Sequence, residues 1–199
     1  MLKNLNAIRL IPMCVLTVVL SLVTACASGG STASNGGSST ITAPQPTTVK
    51  TKPQSMVKVD QALCDRILSL TEAGQITQTT VMNDRVITTA AGGSCNYETA
   101  PYKAVAVVTF SPGGITLLQG IQTALQNQPD FKGSITPITG LGDAAIAVVN
   151  PLTVGLIQYR VIVAYGVVLI NCVLPNSAAG DSTSISQLKQ IAQKVVDRL

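Results

Sequence analysis

An apolar stretch near the start of the chain is too short to cross a membrane comfortably. Two basic residues, Lys3 and Arg9, precede about 13 mostly apolar residues from Leu10 to Leu22. A helix needs about 20 such residues to cross roughly 30 Å of hydrocarbon, whereas the apolar region of a secretory signal peptide has about 7–15. We therefore expect residues 1–25 to be a removable signal peptide, so that the fold forms from the residues that follow.

The segment Val23-Thr24-Ala25-Cys26 ends this leader. It resembles the bacterial lipobox, in which an apolar residue, a small residue and Gly or Ala precede an obligatory Cys. The resemblance implies that the Cys26 thiol receives a diacylglyceryl group and that a peptidase cuts between Ala25 and Cys26. Two acyl chains anchor a protein stably where one does not, so we expect attachment to the outer face of the cytoplasmic membrane. An ordinary signal peptide cut near Ala25 and a retained signal anchor are the alternatives.

Residues 26–57 are dominated by Gly, Ser, Thr and Pro and contain few apolar side chains. Such a segment cannot bury enough surface to offset the entropy that ordering would cost. About 30 residues of this kind reach roughly 30 Å as a coil. We predict a disordered tether here, followed by one globular domain over residues 58–199.

Three helices are predicted in that domain from apolar residues at helical spacing. Their ranges are 61–74, 115–126 and 184–199. Asp60 can cap the first helix and Gly74 can end it. Ser184 and Gln187 form a capping-box pattern at the start of the last one.

Seven strands are predicted from short apolar or alternating runs between Gly-rich and Pro-rich turns. Their ranges are 81–90, 95–98, 103–110, 135–138, a run ending at 149, 156–164 and 167–174. Short links of the hairpin kind favour antiparallel pairing. We therefore predict an α+β fold, an antiparallel sheet with helices packed on one face, and about 140 residues suffice for its core.

Three cysteines remain in the predicted domain, Cys64, Cys95 and Cys172. Outside the cytoplasm thiols pair by oxidation, and an odd number leaves one over. We favour a Cys64–Cys95 bond, whose loop of about 30 residues would contribute roughly 3–4 kcal/mol through lost chain entropy. Pairing of Cys172 with either of the others is the alternative. Cys172 lies in a very apolar strand, where we expect it to act as a small buried hydrophobic residue.

Charge and residue types exclude several classes of function. The leader takes two of the 13 basic residues and none of the nine acidic ones, so the remaining chain carries only +2. Because no concentrated basic face is present, we expect no nucleic-acid partner. The chain has no His and no Cys-x-x-Cys pair, so we expect no metal and no cofactor.

The acidic residues form no catalytic pattern. Asp65, Glu72, Asp84 and Glu98 are scattered along the chain, and we expect them to be solvated surface carboxylates. Asp143 follows Gly142 in a turn, and we expect it to cap that turn through its own backbone. No nucleophile motif of the Gly-x-Ser-x-Gly kind occurs, and we predict no catalytic residues and no enzyme.

Three short motifs point to a family. They are Val59-Asp60-x-x-Leu63-Cys64, Gly93-Ser94-Cys95-Asn96-Tyr97 and Gly140-Leu-Gly-Asp-Ala-Ala145. Together they resemble the small actinobacterial, mycobacterial-type lipoproteins grouped as a domain of unknown function, over roughly residues 58–199. More loosely, the chain is similar to the extracellular sensor domains of mycobacterial receptor kinases, which share the Gly-Asp-Ala turn and are held by disulfides. The resemblance implies an envelope lipoprotein with a Cys64–Cys95 bond and supplies no catalytic residues.

The predicted domain is apolar and weakly charged, since only 11% of the chain's residues are charged and 46% are apolar. On a lipid tether, this composition favours a non-catalytic binding module at the extracytoplasmic face of the cell membrane. We expect it to hold a lipid, another apolar ligand or an envelope protein partner between the sheet and the helices. A sensor that regulates another membrane protein is the alternative, and an enzyme of unknown type is the second.

Overall fold

The computed structural model describes residues 51–152, 156–175 and 180–199. The predicted signal peptide, Cys26 and most of the predicted tether lie outside these ranges. Within them the chain forms a seven-stranded antiparallel sheet and four helices, which confirms the α+β class. No helix in the described ranges is both long and apolar enough to cross a membrane.

The chain runs through two helices, three strands, one helix, four strands and a last helix. The helices are α1 (Gln61–Ile67), α2 (Leu70–Thr77), α3 (Gly114–Gln126) and α4 (Asp181–Arg198). The strands are β1 (Asn83–Thr89), β2 (Gly92–Ala100), β3 (Lys103–Pro112), β4 (Ser134–Ile138), β5 (Ala144–Pro151), β6 (Ile157–Tyr165) and β7 (Val168–Leu174). Their order in the sheet is β1-β2-β3-β7-β6-β5-β4, so β7 joins two sequential three-stranded ladders.

Helices cover both faces of the sheet rather than one. On the face that carries Val161 and Cys172, here the front face, α1, α2 and α4 build the larger core. On the opposite, back face, Leu118 of α3 packs with Ile162 and Leu169. The prediction of one covered face was wrong because the central strands are apolar on both sides, and each side needs a helix to remove it from water.

The predicted first helix is two helices. Asp60 caps α1 as predicted, accepting a hydrogen bond from the Leu63 N–H at 3.0 Å. The chain then turns extended, and Ser69 and Glu72 form a capping box that starts α2. Gly74 therefore lies inside α2 rather than at a helix end. A Cβ added at Gly74 would come within 2.9 Å of the Thr79 carbonyl oxygen.

The last helix begins three residues before the predicted start. The Ser184 N–H donates to the Gly180 carbonyl at 3.0 Å, and Gly180 is the N-cap. Ser184 and Gln187 are buried inside α4, so the predicted capping box there was wrong. The predicted apolar stripe is confirmed, since Leu188 and Val195 are fully buried against the sheet.

The last residues of the predicted tether, residues 51–57, pack against the domain. The Pro53 carbonyl accepts a hydrogen bond from the Val167 N–H at 3.1 Å. Gly166, with φ +59°, must be glycine because an added Cβ would strike the same carbonyl. Met56 packs against the front-face core. The packed unit therefore extends upstream of residue 58.

Candidate functional site

The predicted disulfide is present between α1 and β2. The Cα atoms of Cys64 and Cys95 are 5.6 Å apart, and both residues are fully buried. Beside the bond, the Tyr97 hydroxyl donates to the Cys64 carbonyl at 3.1 Å. The bond therefore fixes the first helix on the front face of the sheet.

Cys172 keeps its thiol, and it is fully buried on the front face of β7. Burial raises the pKa of this thiol to about 12, because a thiolate would lose its hydration. The residue therefore stays protonated and packs as a small hydrophobic side chain, as predicted, and the alternative disulfide pairings do not occur.

Asp143 joins three distant parts of the chain. Its carboxylate accepts the Gly166 N–H at 2.7 Å and pairs with Lys52, and its own N–H donates to the Ala164 carbonyl at 2.8 Å. The hydrogen bond from Lys52 holds the pKa of Asp143 below its ordinary value. Asp143 thus holds the β6–β7 turn and the segment before α1, rather than capping its own turn.

Two carboxylates that the sequence predicted to be solvated are paired. Glu72 accepts hydrogen bonds from Arg198 at 2.6 and 2.7 Å and from Lys194 at 2.8 Å. The Glu98 side chain is only 2% exposed and accepts from Arg85 Nε at 2.9 Å. Burial acts to raise the pKa of Glu98, but the hydrogen bonds, chiefly from Arg85, outweigh it and lower that pKa. Both carboxylates are structural charges: Glu72 joins α2 to α4, and Glu98 joins the neighbouring strands β1 and β2.

An open cleft of about 510 Å³ separates α4 from the edge of the sheet. It lies beside α4 because α4 packs mainly on β6 and β7 rather than on the edge strand β4. We call it the apolar cleft, because its floor is aliphatic. The floor consists of Ile138, Ala147, Val149 and Ile185.

The rim of the apolar cleft is polar. The Tyr159 hydroxyl donates to Asp181 at 2.7 Å, which fixes that carboxylate at the start of α4. Lys189 of α4 and Thr136 of the edge strand β4 also line the cleft. Lys189 is exposed, and no described residue pairs with it. An apolar floor with a small number of polar groups at the rim is the usual form of a small-molecule site.

A second cleft, of about 420 Å³, lies on the other side of α4, between α4 and α2. We call it the amide cleft, because glutamine side chains and hydroxyls line it. Its polar lining consists of Gln75, Gln78, Ser182, Thr183, Ser186, Gln187 and Gln190, and Ile76 is its apolar member. Ser182 and Ser186 line both clefts, so the two clefts flank the first turns of α4.

Neither cleft could be predicted from the sequence, because each depends on where α4 packs on the sheet. Within the described ranges, no group of three His, Cys, Asp or Glu side chains could hold a metal ion. Cys26, the predicted lipidation site, lies outside those ranges. No protein-family model, no curated protein and no solved structure matches this chain. The resemblance to actinobacterial lipoproteins therefore stays a prediction.

Proposed function

We propose that the protein is a membrane-anchored, extracytoplasmic lipoprotein whose domain is a non-catalytic binding module. Its ligand is the aliphatic part of a membrane amphiphile, held in the apolar cleft. The observation that carries this proposal is the aliphatic floor of a cleft of about 510 Å³ that stands open at the sheet edge.

The shape of the apolar cleft supports an aliphatic ligand. Its volume falls within the roughly 300–1,000 Å³ of ordinary ligand sites. Ala147 and Ile185 both line this space, from β5 and from α4. Aliphatic surface that leaves water on binding contributes about 25 cal/mol per Å². A single hydrocarbon chain would gain this free energy along the floor of the apolar cleft.

The proposed anchor would place the domain close to a source of such ligands. Cys26 precedes Lys52, the first residue with a described side-chain contact to the domain, by 26 positions. A coil of that length has an end-to-end distance of roughly 30 Å. The domain would therefore stay at a high effective concentration near the membrane without any contact of its own.

Thr136→Trp is expected to weaken binding of a fluorescent 18-carbon fatty acid, cis-parinaric acid, by at least about tenfold. The indole would occupy the opening of the apolar cleft from the exposed edge strand β4, which removes the aliphatic floor from reach. Fluorescence titration of the purified mature chain measures the dissociation constant, and thermal melting verifies that the variant is folded.

Thr88→Trp is the matched control, because Thr88 is also an exposed threonine, on the opposite edge strand β1. It should bind the fatty acid as tightly as the unmodified chain does. Equal weakening by both substitutions would contradict the assignment of the cleft. Absence of saturable binding to the unmodified chain would contradict the ligand class and favour a protein partner instead.

Lipidation at Cys26 is tested separately from the cleft. Mass spectrometry of the protein purified from native membranes should show an N-terminal peptide that begins at Cys26 and carries a thioether-linked diacylglycerol. Two acyl chains would then keep it in the membrane fraction after washing with salt. A mature N-terminus upstream of Cys26, or an unmodified thiol there, would contradict the anchor while leaving the cleft assignment open to its separate test.

A further inference from the structure

We infer that the amide cleft binds a neutral sugar, the head group of the amphiphile whose chain lies in the apolar cleft. The sugar site consists of residues of the amide cleft alone. The link between head group and chain rests on the proposed function.

Gln187 is the buried polar residue of the amide cleft. The residue is only 6% exposed, and its side chain lines the amide cleft. No hydrogen bond joins that side chain to any residue the structure describes. Among those residues, no buried side-chain nitrogen or oxygen lacks a partner, so the Gln187 amide must reach the cleft surface. The Gln187 amide therefore offers an unused donor and an unused acceptor to a ligand in the cleft.

The other six polar residues of the amide cleft are exposed. In the described ranges, the side chains of Gln75, Gln78 and Gln190 make no hydrogen bonds to protein. The same holds for the hydroxyls of Ser182, Thr183 and Ser186. Seven neutral polar side chains therefore converge on one space without bonding to each other.

Their chemistry selects the ligand. Each amide offers two donors and an acceptor, and each hydroxyl offers both functions, which matches adjacent sugar hydroxyls that also donate and accept. No charged side chain lines the amide cleft, so a charged ligand would lose hydration without finding a counter-charge. An apolar ligand would leave the amides unpaired. A neutral polyhydroxylated group satisfies the whole set.

The two clefts are placed to share one ligand. Ser182 and Ser186 line both of them, on either side of the first turns of α4. A sugar in the amide cleft and a hydrocarbon chain in the apolar cleft would be joined over this small-residue ridge. The polar and apolar halves of a glycolipid would then each meet the surface that suits them.

Three probes test the sugar site and its link to the apolar cleft separately. Each probe is titrated into the purified mature chain below its micelle-forming concentration, and binding is followed by NMR. Octyl β-glucoside carries head and chain, methyl β-glucoside carries the head alone, and octanol carries the chain alone. Gln187→Met keeps a long unbranched side chain but removes the amide. It should weaken both glucosides about tenfold and leave octanol unchanged. Thr136→Trp should weaken octanol and octyl glucoside and leave methyl glucoside unchanged.

Gln119→Met on the exposed surface of α3 is the control and should bind all three probes like the unmodified chain. If Gln187→Met does not fold, Gln190→Met, an exposed position of the same cleft, tests the same loss. Glucoside binding that these α4 variants do not change would overturn the sugar site, as would equally tight binding of trialanine. Octyl glucoside binding no tighter than methyl glucoside would overturn the link between the clefts. Loss of octanol binding in Thr136→Trp would still support the apolar cleft in either case.

Discussion

Replacing Cys64 and Cys95 together by alanine is expected to lower the free energy of unfolding by about 3–4 kcal/mol. The bond links residues 31 positions apart, and without it the unfolded chain regains the freedom that this loop had lost. The bond also holds α1 on the front face, where Cys64 and Cys95 are fully buried. Urea denaturation measures the loss as a lower midpoint and a lower extrapolated stability.

Cys172→Ala is the control for this prediction, because Cys172 is equally buried but forms no disulfide. It should lose only the packing of one small group, about 1 kcal/mol. Reduction of the unmodified chain should reproduce most of the loss seen in the double variant. If reduction leaves the urea midpoint unchanged, the bond does not support the fold in solution.

Glu72→Gln is expected to destabilise the domain by about 2–3 kcal/mol. The carboxylate receives both Arg198 nitrogens and Lys194, and hydrogen bonds to charged groups contribute about 1.5–3 kcal/mol each when they are shielded. The side chains of Glu72 and Arg198 are 23% and 34% exposed, so solvent reduces that sum. The same carboxylate closes the capping box with Ser69, so its loss weakens α2 and the α2–α4 contact together.

The effect of Glu72 should depend on pH in a defined direction. The hydrogen bonds from Arg198, and then from Lys194, hold the pKa of Glu72 far below its ordinary value. A lowered pKa in the folded state gives stability above the unfolded pKa of about 4.3, and this stability is lost as pH falls toward the folded pKa. The difference between the unmodified chain and Glu72→Gln should therefore be largest near neutral pH and shrink below pH 4.

Asp65→Asn is the matched control for that titration. Asp65 is an exposed carboxylate that accepts one hydrogen bond, from Gln61 on the same helix. It should lose little stability at any pH, because exposed contacts of this kind contribute less than about 1 kcal/mol. A Glu72→Gln variant that follows the unmodified chain at every pH would show that the α2–α4 charges are solvated in solution.

The sequence alone determined the elements and much of their pairing. Apolar, Val-rich runs such as Lys103–Phe110 and the turn at Gly166 predicted strands and hairpins, because β-branched residues favour strands and Gly permits a tight turn. Asp60 predicted its own cap for the same local reason, since it bonds an N–H three residues away. Compartment and count predicted one bond and one spare thiol, and the family resemblance implied the Cys64–Cys95 pair, although their contact is long-range.

Tertiary structure alone decided the positions of the helices and the partners of the charges. Asp143 was predicted to bond its own turn, but its partners are Gly166 and Lys52. Glu72 was predicted to be solvated, but its carboxylate accepts hydrogen bonds from Arg198, which is 126 positions away in the sequence. Local periodicity predicts that a face is apolar but not which surface covers it, because that choice depends on the packing of the whole chain. The two clefts beside α4 follow from that packing, so they became visible only in the folded structure.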